Sequence, residues 1–176
     1  MLLKNETILL RALEPEDLDV LYRWENDAEL WQHGSNLTPY SRFALRDYLA
    51  DALSQDIFQS RQLRLMIVET SSQQPVGTID LYDFDPIHAR AGIGILIDEA
   101  HRGKGFSRQA LQLVHEYASR VLLLHQIYAY VPKNNVPSYQ LFRKSGYEET
   151  GILKSWLRTA DGYLNVCFMQ CVLNAL

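Results

Sequence analysis

The feature that most constrains this chain is a short run in which a strand must give way to a helix. Ile95, Leu96 and Ile97 form an apolar segment suited to a strand. Residues Asp98 to Gly105 are polar and basic, with glycines at 103 and 105. From Phe106 onward, Ala110, Leu111, Val114, Ala118 and Val121 recur at helical spacing. The two glycines let the backbone turn so that successive N–H groups converge on one spot. The helix that follows aims the positive end of its dipole at the same spot. Arg102, Lys104 and Arg108 add full charges. A strand–turn–helix unit of this composition asks for an anion, and a pyrophosphate fits it.

Two phosphate motifs are excluded by their spacing. A P-loop requires Gly-x-x-x-x-Gly-Lys-Ser/Thr, which occurs nowhere in the chain. A dinucleotide turn requires Gly-x-Gly-x-x-Gly, but Gly92-x-Gly94 is followed by Ile97 and Gly103-x-Gly105 by Arg108 at the third glycine position. What remains is Arg102-x-x-Gly105-x-Ser107 after a strand. Further on lies Asn134-Asn135-Val136-Pro137-Ser138-Tyr139-Gln140-Leu141-Phe142-Arg143-Lys144-Ser145-Gly146-Tyr147, a short helical pattern with Gly146 placed to end it.

The first motif resembles the Gln/Arg-x-x-Gly-x-Gly/Ala turn of the GNAT superfamily, the acetyl-CoA-dependent N-acetyltransferases. Ser107 departs at the last position but is small. The second resembles that family's Asn-x-x-Ser/Ala segment, with Asn135 and Ser138 in the two polar places. Within the superfamily, the opening Leu10-Arg11-Ala12-Leu13, Gly151-Ile152-Leu153 and Asp161-Gly162-Tyr163 are similar to the group of spermidine and ribosomal-protein N-acetyltransferases.

The resemblance implies a single N-acetyltransferase domain over residues 1–176. Its fold is α/β (α+β), a mixed twisted sheet of about seven strands flanked by about four helices. It implies acetyl-CoA as co-substrate and no metal. The pyrophosphate would lie on Arg102, Gly103, Lys104, Gly105, Phe106, Ser107 and Arg108, with Asn135, Ser138 and Phe142 nearby. The strand before the turn would splay from its neighbour after Val131. The pantetheine arm would pair with the backbone of Ile95, Leu96 and Ile97. An N–H there, that of Ile95, would polarise the thioester carbonyl.

The chain departs from the family pattern twice. A glutamate position, two before Gly94, is Gly92, and the usual tyrosine acid is Phe142, which has no proton to give. Tyr128, Tyr130 and Tyr139 are candidates to replace it, each also readable as a packing residue, and CoA thiolate is tolerable as a leaving group without an acid. For the acceptor, Asp80, Tyr82, Asp83 and Asp85 could hold a cationic amine or form a solvated turn. Glu25, Asp27, Glu29 and Trp31 suit a polyamine by charge and cation–π contact, or form a wet face. The acceptor is read as a small-molecule amine, first a polyamine such as spermidine. The N-terminal amine of a ribosomal protein comes second and an aminoglycoside or other small amine third. A non-catalytic acetyl-CoA-binding module is the reading from another class.

Composition narrows the partners. The net charge of −4 argues against a nucleic-acid partner, which usually meets a basic surface. Apolar runs are short of the roughly 20 residues that span a bilayer, and residues 1–6 lack the features of a signal peptide. No membrane and a cytoplasmic location are expected, with relatives of this family often forming homo-oligomers. Cys167 and Cys171 share one face of a predicted strand and read as core, and the five histidines show no ligand spacing. Strands are predicted at 7–12, 63–70, 76–83, 89–97 and 126–131, with a closing hairpin of 148–156 and 164–173. Helices are predicted from Pro15, from a Thr38 cap with Pro39, and over 138–145.

Overall fold

The computed structural model describes residues 2–27 and 38–173. Glu29 and Trp31 lie outside the described residues. Period-two alternation builds β1 (Ile8–Ala12), β2 (Leu63–Glu69), β3 (Pro75–Asp85), β4 (Arg90–Ile97), β5 (Gln126–Pro132), β6 (Glu148–Thr159) and β7 (Gly162–Val172). They form one seven-stranded sheet in the order β1-β2-β3-β4-β5-β7-β6. All neighbours are antiparallel except β4 and β5, which run parallel. The α-helices are α1 (Leu18–Glu25), α2 (Arg42–Ser54), the four-residue α3 (Ile57–Ser60), α4 (Phe106–Arg120) and α5 (Val136–Lys144).

The alternation gives the sheet two faces with separate cores. On one, Ile67, Ile79, Ile93, Ile127 and Ala129 pack with Phe106, Ala110 and Val114 of α4 and Phe142 of α5. On the other, Met66 and Val68 pack with Leu21 and Trp24 of α1 and Leu49 of α2. Burial of the larger aliphatic and phenylalanine side chains among these contributes about 1.5–3 kcal/mol each.

The elements differ from expectation at three places. Helix α2 starts at Arg42, capped by Ser41, whose side chain accepts from Ala44 N at 3.0 Å, rather than at Thr38-Pro39. Helix α3 is short enough to leave no periodic signal, yet Asp56 caps it by accepting from Phe58 N and Gln59 N. The segment Asp83–Asp85 is strand with a register shift, and the turn follows it. Cys167 and Cys171 are free thiols on β7. Among the described residues, no helix is long and apolar enough to cross a membrane.

Candidate active site

The parallel strands β4 and β5 pair only through Arg90–Gln126, Ala91–Ile127 and Gly92–Tyr128. Beyond those pairs they separate, leaving a gap between residues 93–97 and 129–132. The fork begins at Tyr128, earlier than the expected Val131. Asp98 N donates to Val76 O, so the even positions at this end of β4 turn their backbone groups toward β3. Leu96 follows that rule, and its carbonyl oxygen crowds Gly77. The backbone groups of Ile93, Ile95 and Ile97 therefore face the gap. Ile97 O accepts from Arg102 Nε at 3.3 Å, which ties the basic turn to the fork. Of the three residues expected to offer backbone there, Ile95 and Ile97 do so. Leu96 does not, because its backbone serves β3 and its side chain packs on the α1 face. Ile93 was missed, since which strand positions face a gap depends on register.

The turn after β4 has the anticipated form. Gly103 and Gly105 take φ of 78° and 80°, the left-handed region that favours glycine. Gly105 is the N-cap of α4, and among the described residues no side chain caps the first N–H groups of that helix. A Cβ at either glycine would meet nothing within 4 Å, so the space above the turn is open. Arg102, Lys104 and Arg108 are exposed around it. Ser107 is half-buried beside them. Phe106 is 3% exposed and offers the site its backbone only, its ring being part of the core.

The second motif divides its residues between structure and site. Asn135 caps α5 by accepting from Ser138 N at 3.2 Å, so this pair first holds the helix in place. Phe142 is 4% exposed, edge-on to Tyr147 with ring centroids 4.9 Å apart, and leaves a co-substrate almost no surface. Tyr139, expected as a catalytic candidate, has its pKa raised first by Glu149 on β6, and β6 lies beyond β7 on the far side of β5 from the gap.

The opposite face of the fork carries aromatic rings. Tyr82 packs against Gly92 so closely that a Cβ there would collide with the ring. That explains the glycine at the usual glutamate position: the volume is already filled. Tyr82 meets Tyr128 edge-on at 6.4 Å between centroids, Tyr128 meets Tyr130 at 5.7 Å, and Phe168 lies 5.3 Å from Tyr130. Burial, then neighbouring Tyr128, raises the Tyr82 pKa, and burial followed by Asp83 raises that of Tyr128. Both stay protonated at neutral pH and can donate. A cavity of about 600 Å³ opens here, lined by Asp83, Asp85, Arg90, Tyr128, Tyr130 and Phe168, with Arg61, Gln126 and Gln170 at its border. Arg90, Gln126, Phe168 and Gln170 were missed, because three separate strands supply them and no local motif joins them.

Asp80 is committed elsewhere. Arg64 Nε donates to its Oδ1 at 2.5 Å, and Arg64 Nη1 to Glu25 at 2.7 Å. Burial disfavours the Arg64 charge, but Asp80, Tyr48 and Glu25 outweigh it and raise its pKa. Asp80 therefore anchors α1 to the sheet through a half-buried arginine. Its charge is offset before any ligand arrives.

Known proteins resemble this chain in both sequence and structure. The family described as the acetyltransferase (GNAT) domain matches residues 7–148. A spermidine N(1)-acetyltransferase of Vibrio cholerae is 30% identical over 149 residues, covering 85% of this chain and 83% of that protein. The corresponding Escherichia coli enzyme is 29% identical over 147 residues, covering 84% and 76%. The crystal structure of the Vibrio cholerae enzyme with CoA and spermine superposes with a TM-score of 0.87 at 25% identity, covering 97% of this chain and 98% of that one. A dodecameric form of that enzyme gives a TM-score of 0.82. The forked sheet, the glycine turn and these matches agree, and the chain belongs to the GNAT family as an acetyl-CoA-dependent N-acetyltransferase.

Proposed function

We propose that this chain, as one domain over 1–176, acetylates a primary amine and that a polyamine such as spermidine is its acceptor. The observation that carries the reading is the aromatic and acidic cavity placed where the fork opens, on the face opposite α4. Acetyl-CoA enters from the α4 side, with its pyrophosphate on residues 102–108 and its pantetheine along Ile93, Ile95 and Ile97. The Ile95 N–H donates to the thioester carbonyl oxygen as negative charge grows there. An alkylammonium has a pKa of about 10.4 and must lose its proton before attack. Asp83 is the cavity carboxylate with no ion-pair partner among the described residues, and it takes that proton through water. As the C–N bond forms and the C–S bond breaks, the thiolate receives a proton from Tyr130, from Tyr128 or from solvent. Tyr130 is 42% exposed and lines the cavity wall.

Three things support the acceptor. The tyrosine and phenylalanine rings suit an alkylammonium. Asp83 adds a negative charge at the rim. The spermidine acetyltransferases are relatives at 29–30% identity. An α-amino group at a protein N-terminus is the second reading, favoured by Arg61 and Arg90 at the same rim, which suit carbonyl or carboxylate groups of a peptide. A homo-oligomer is part of the proposal, in line with Trp156 and Tyr163 standing exposed on the closing hairpin.

The test is release of free CoA thiol with spermidine, an alanine-initiated peptide and an aminoglycoside in parallel. Spermidine should give the highest kcat/KM. A clear preference for the peptide moves the enzyme to the second reading.

A further inference from the structure

Strand β3 changes the face of its side chains at Asp83. Ile79 and Leu81 point into the core beneath α4, and strict alternation would send residue 83 after them. Phe84 takes that place instead. Between the pairs Tyr82–Gly92 and Asp85–Arg90, β3 holds two residues and β4 one, so Asp83 is the extra residue of a β-bulge. Its φ of 48° lies in the left-handed region, which aspartate tolerates better than most residues. The bulge leaves Asp83 lining the acceptor cavity beside Tyr128 and Tyr130. Such a conformation persists only where its surroundings hold it. Arg61 supplies the hold. Its carbonyl oxygen accepts from Phe84 N at 3.1 Å, and its Nη1 donates to Phe84 O at 2.9 Å. One residue thus engages both backbone groups of the residue after Asp83. Arg61 is itself fixed as the C-cap of α3, with φ of 56° and its N–H donating to Ile57 O. From the same helix, Phe58 meets the Phe84 ring edge-on at 5.3 Å between centroids.

We infer that Arg61 is a positioning residue for the acetyl transfer: by gripping Phe84 across the bulge, it holds Asp83 in the acceptor cavity. The inference rests on the reading of Asp83 as the carboxylate that takes the ammonium proton. Arg61 stands at the cavity border with the wrong charge to attract an ammonium, so binding a cationic acceptor does not account for it. Its bond to the Phe84 carbonyl does, because a charged donor makes the stronger kind of hydrogen bond. A general base must stand within hydrogen-bond reach of the proton it takes, directly or through one water. Misplacement by about 1 Å is enough to cost about 10²-fold in rate. The bulge sets where Asp83 stands, and Arg61 sets the bulge.

Steady-state kinetics of Arg61→Met, Arg61→Lys, Asp83→Asn and the Arg61→Met/Asp83→Asn double variant test this. The acceptor is whichever of spermidine, the alanine-initiated peptide and the aminoglycoside turns over fastest. Arg61→Met keeps the stem and removes every side-chain donor. It should lower kcat by about ten- to hundredfold and leave the KM for acetyl-CoA unchanged. Arg61→Lys can still donate to Phe84 O and should recover most of the loss. In the Asp83→Asn background, Arg61→Met should cost less than about twofold, because no carboxylate is left to misplace. Arg61 is exposed, so neither variant opens the core. A misfolded fraction would lower kcat by the same factor in both backgrounds. An unchanged kcat in Arg61→Met overturns the inference. So does an equal loss in the two backgrounds, which makes Arg61 independent of Asp83. A rise in acceptor kcat/KM overturns it too, since Arg61 would then act only as a charge at the rim. If Asp83→Asn alone keeps the wild-type kcat, the reading of Asp83 fails first and the assignment of Arg61 falls with it.

Discussion

On the α4 side of the fork the groups offered to a substrate are mostly backbone: the N–H groups of the glycine turn and the inward-facing edge of β4. On the opposite side they are almost all side chains, drawn from β3, β4, β5 and β7. The first side needs two left-handed glycines and a free strand edge. It tolerates wide variation elsewhere, because backbone groups are the same in every residue. The second side depends on which side chain stands at each register position. Tyr82 can fill the place above Gly92 only because β3 pairs these two residues directly. One side is thus specified by local geometry and the other by long-range pairing, and the two respond differently to substitution.

The sharpest break of that contrast is Gly105→Val. A β-branched residue is strained at φ of 80°, so the turn must reopen and scatter its N–H groups. Loss of two or more charge-assisted bonds predicts a fall in CoA affinity of about a thousandfold. Circular dichroism should show an intact fold, and titration with CoA gives the affinity. An intact variant that binds as the wild type does would remove the backbone account of this side.

The core beneath the same side carries a pH response of its own. His115 titrates near 4 when folded, because burial penalises its charged form, against about 6.5 when unfolded. The unfolded chain therefore binds more protons between those values. The stabilising contribution is complete above pH 6.5 and is lost as pH falls toward 4. It amounts to about 3 kcal/mol at most. Thermal melts from pH 7 to 4 should show this loss, and His115→Gln should flatten the slope in that window. A slope unchanged by the substitution would place the acid sensitivity elsewhere.

The same division explains what could be read before the structure. The glycine turn, the Asn135 cap and Gly146 are contiguous signals with a local physical cause, so they and the order of elements were legible. The face each residue of β4 presents was not. Leu96 resembles its isoleucine neighbours in every local respect, and only pairing with β3 turns its backbone away. Tyr139 lies in the motif but points to Glu149, a contact set by how β6 returns past β7. Phe168 and Gln170 stand in a strand with no motif at all, and they reach the cavity because β7 pairs with β5.

On the side-chain face, single hydroxyl deletions should separate proton donation from packing. If Tyr130 gives the thiolate its proton, Tyr130→Phe should lower kcat by about 10²-fold with little change in the KM for acetyl-CoA. Tyr128→Phe is the parallel test, and Tyr139→Phe should change kcat by less than about twofold, since its hydroxyl is engaged away from the gap. A large loss in Tyr139→Phe would contradict the orientation described here. No loss in any of the three would assign the proton to solvent.

The smallest effect tests how acidic the acceptor side is in practice. The chain carries a net charge of −4, which alone would predict a steep salt dependence for a polycation. The cavity is more balanced than that. Asp80 is held by Arg64, and Asp85 lies 3.3 Å from Arg90, so their charges are largely offset before the acceptor arrives. Asp83 remains, on the exposed bulge at the end of β3. The screening length shrinks from about 10 Å at 0.1 M salt to about 3 Å at 1 M, and one exposed charge then loses most of its reach. Spermidine kcat/KM should therefore fall by only about two- to fivefold over that range, the scale of a single exposed ion pair. Asp83→Asn removes the proposed base as well as the charge, so it should lower kcat by about 10²-fold or more and abolish the salt slope. A decline of a hundredfold or more would mean that several unpaired carboxylates hold the acceptor. A rise with salt would mean that Arg61 and Arg90 dominate the rim, and would favour a peptide amine over a polyamine.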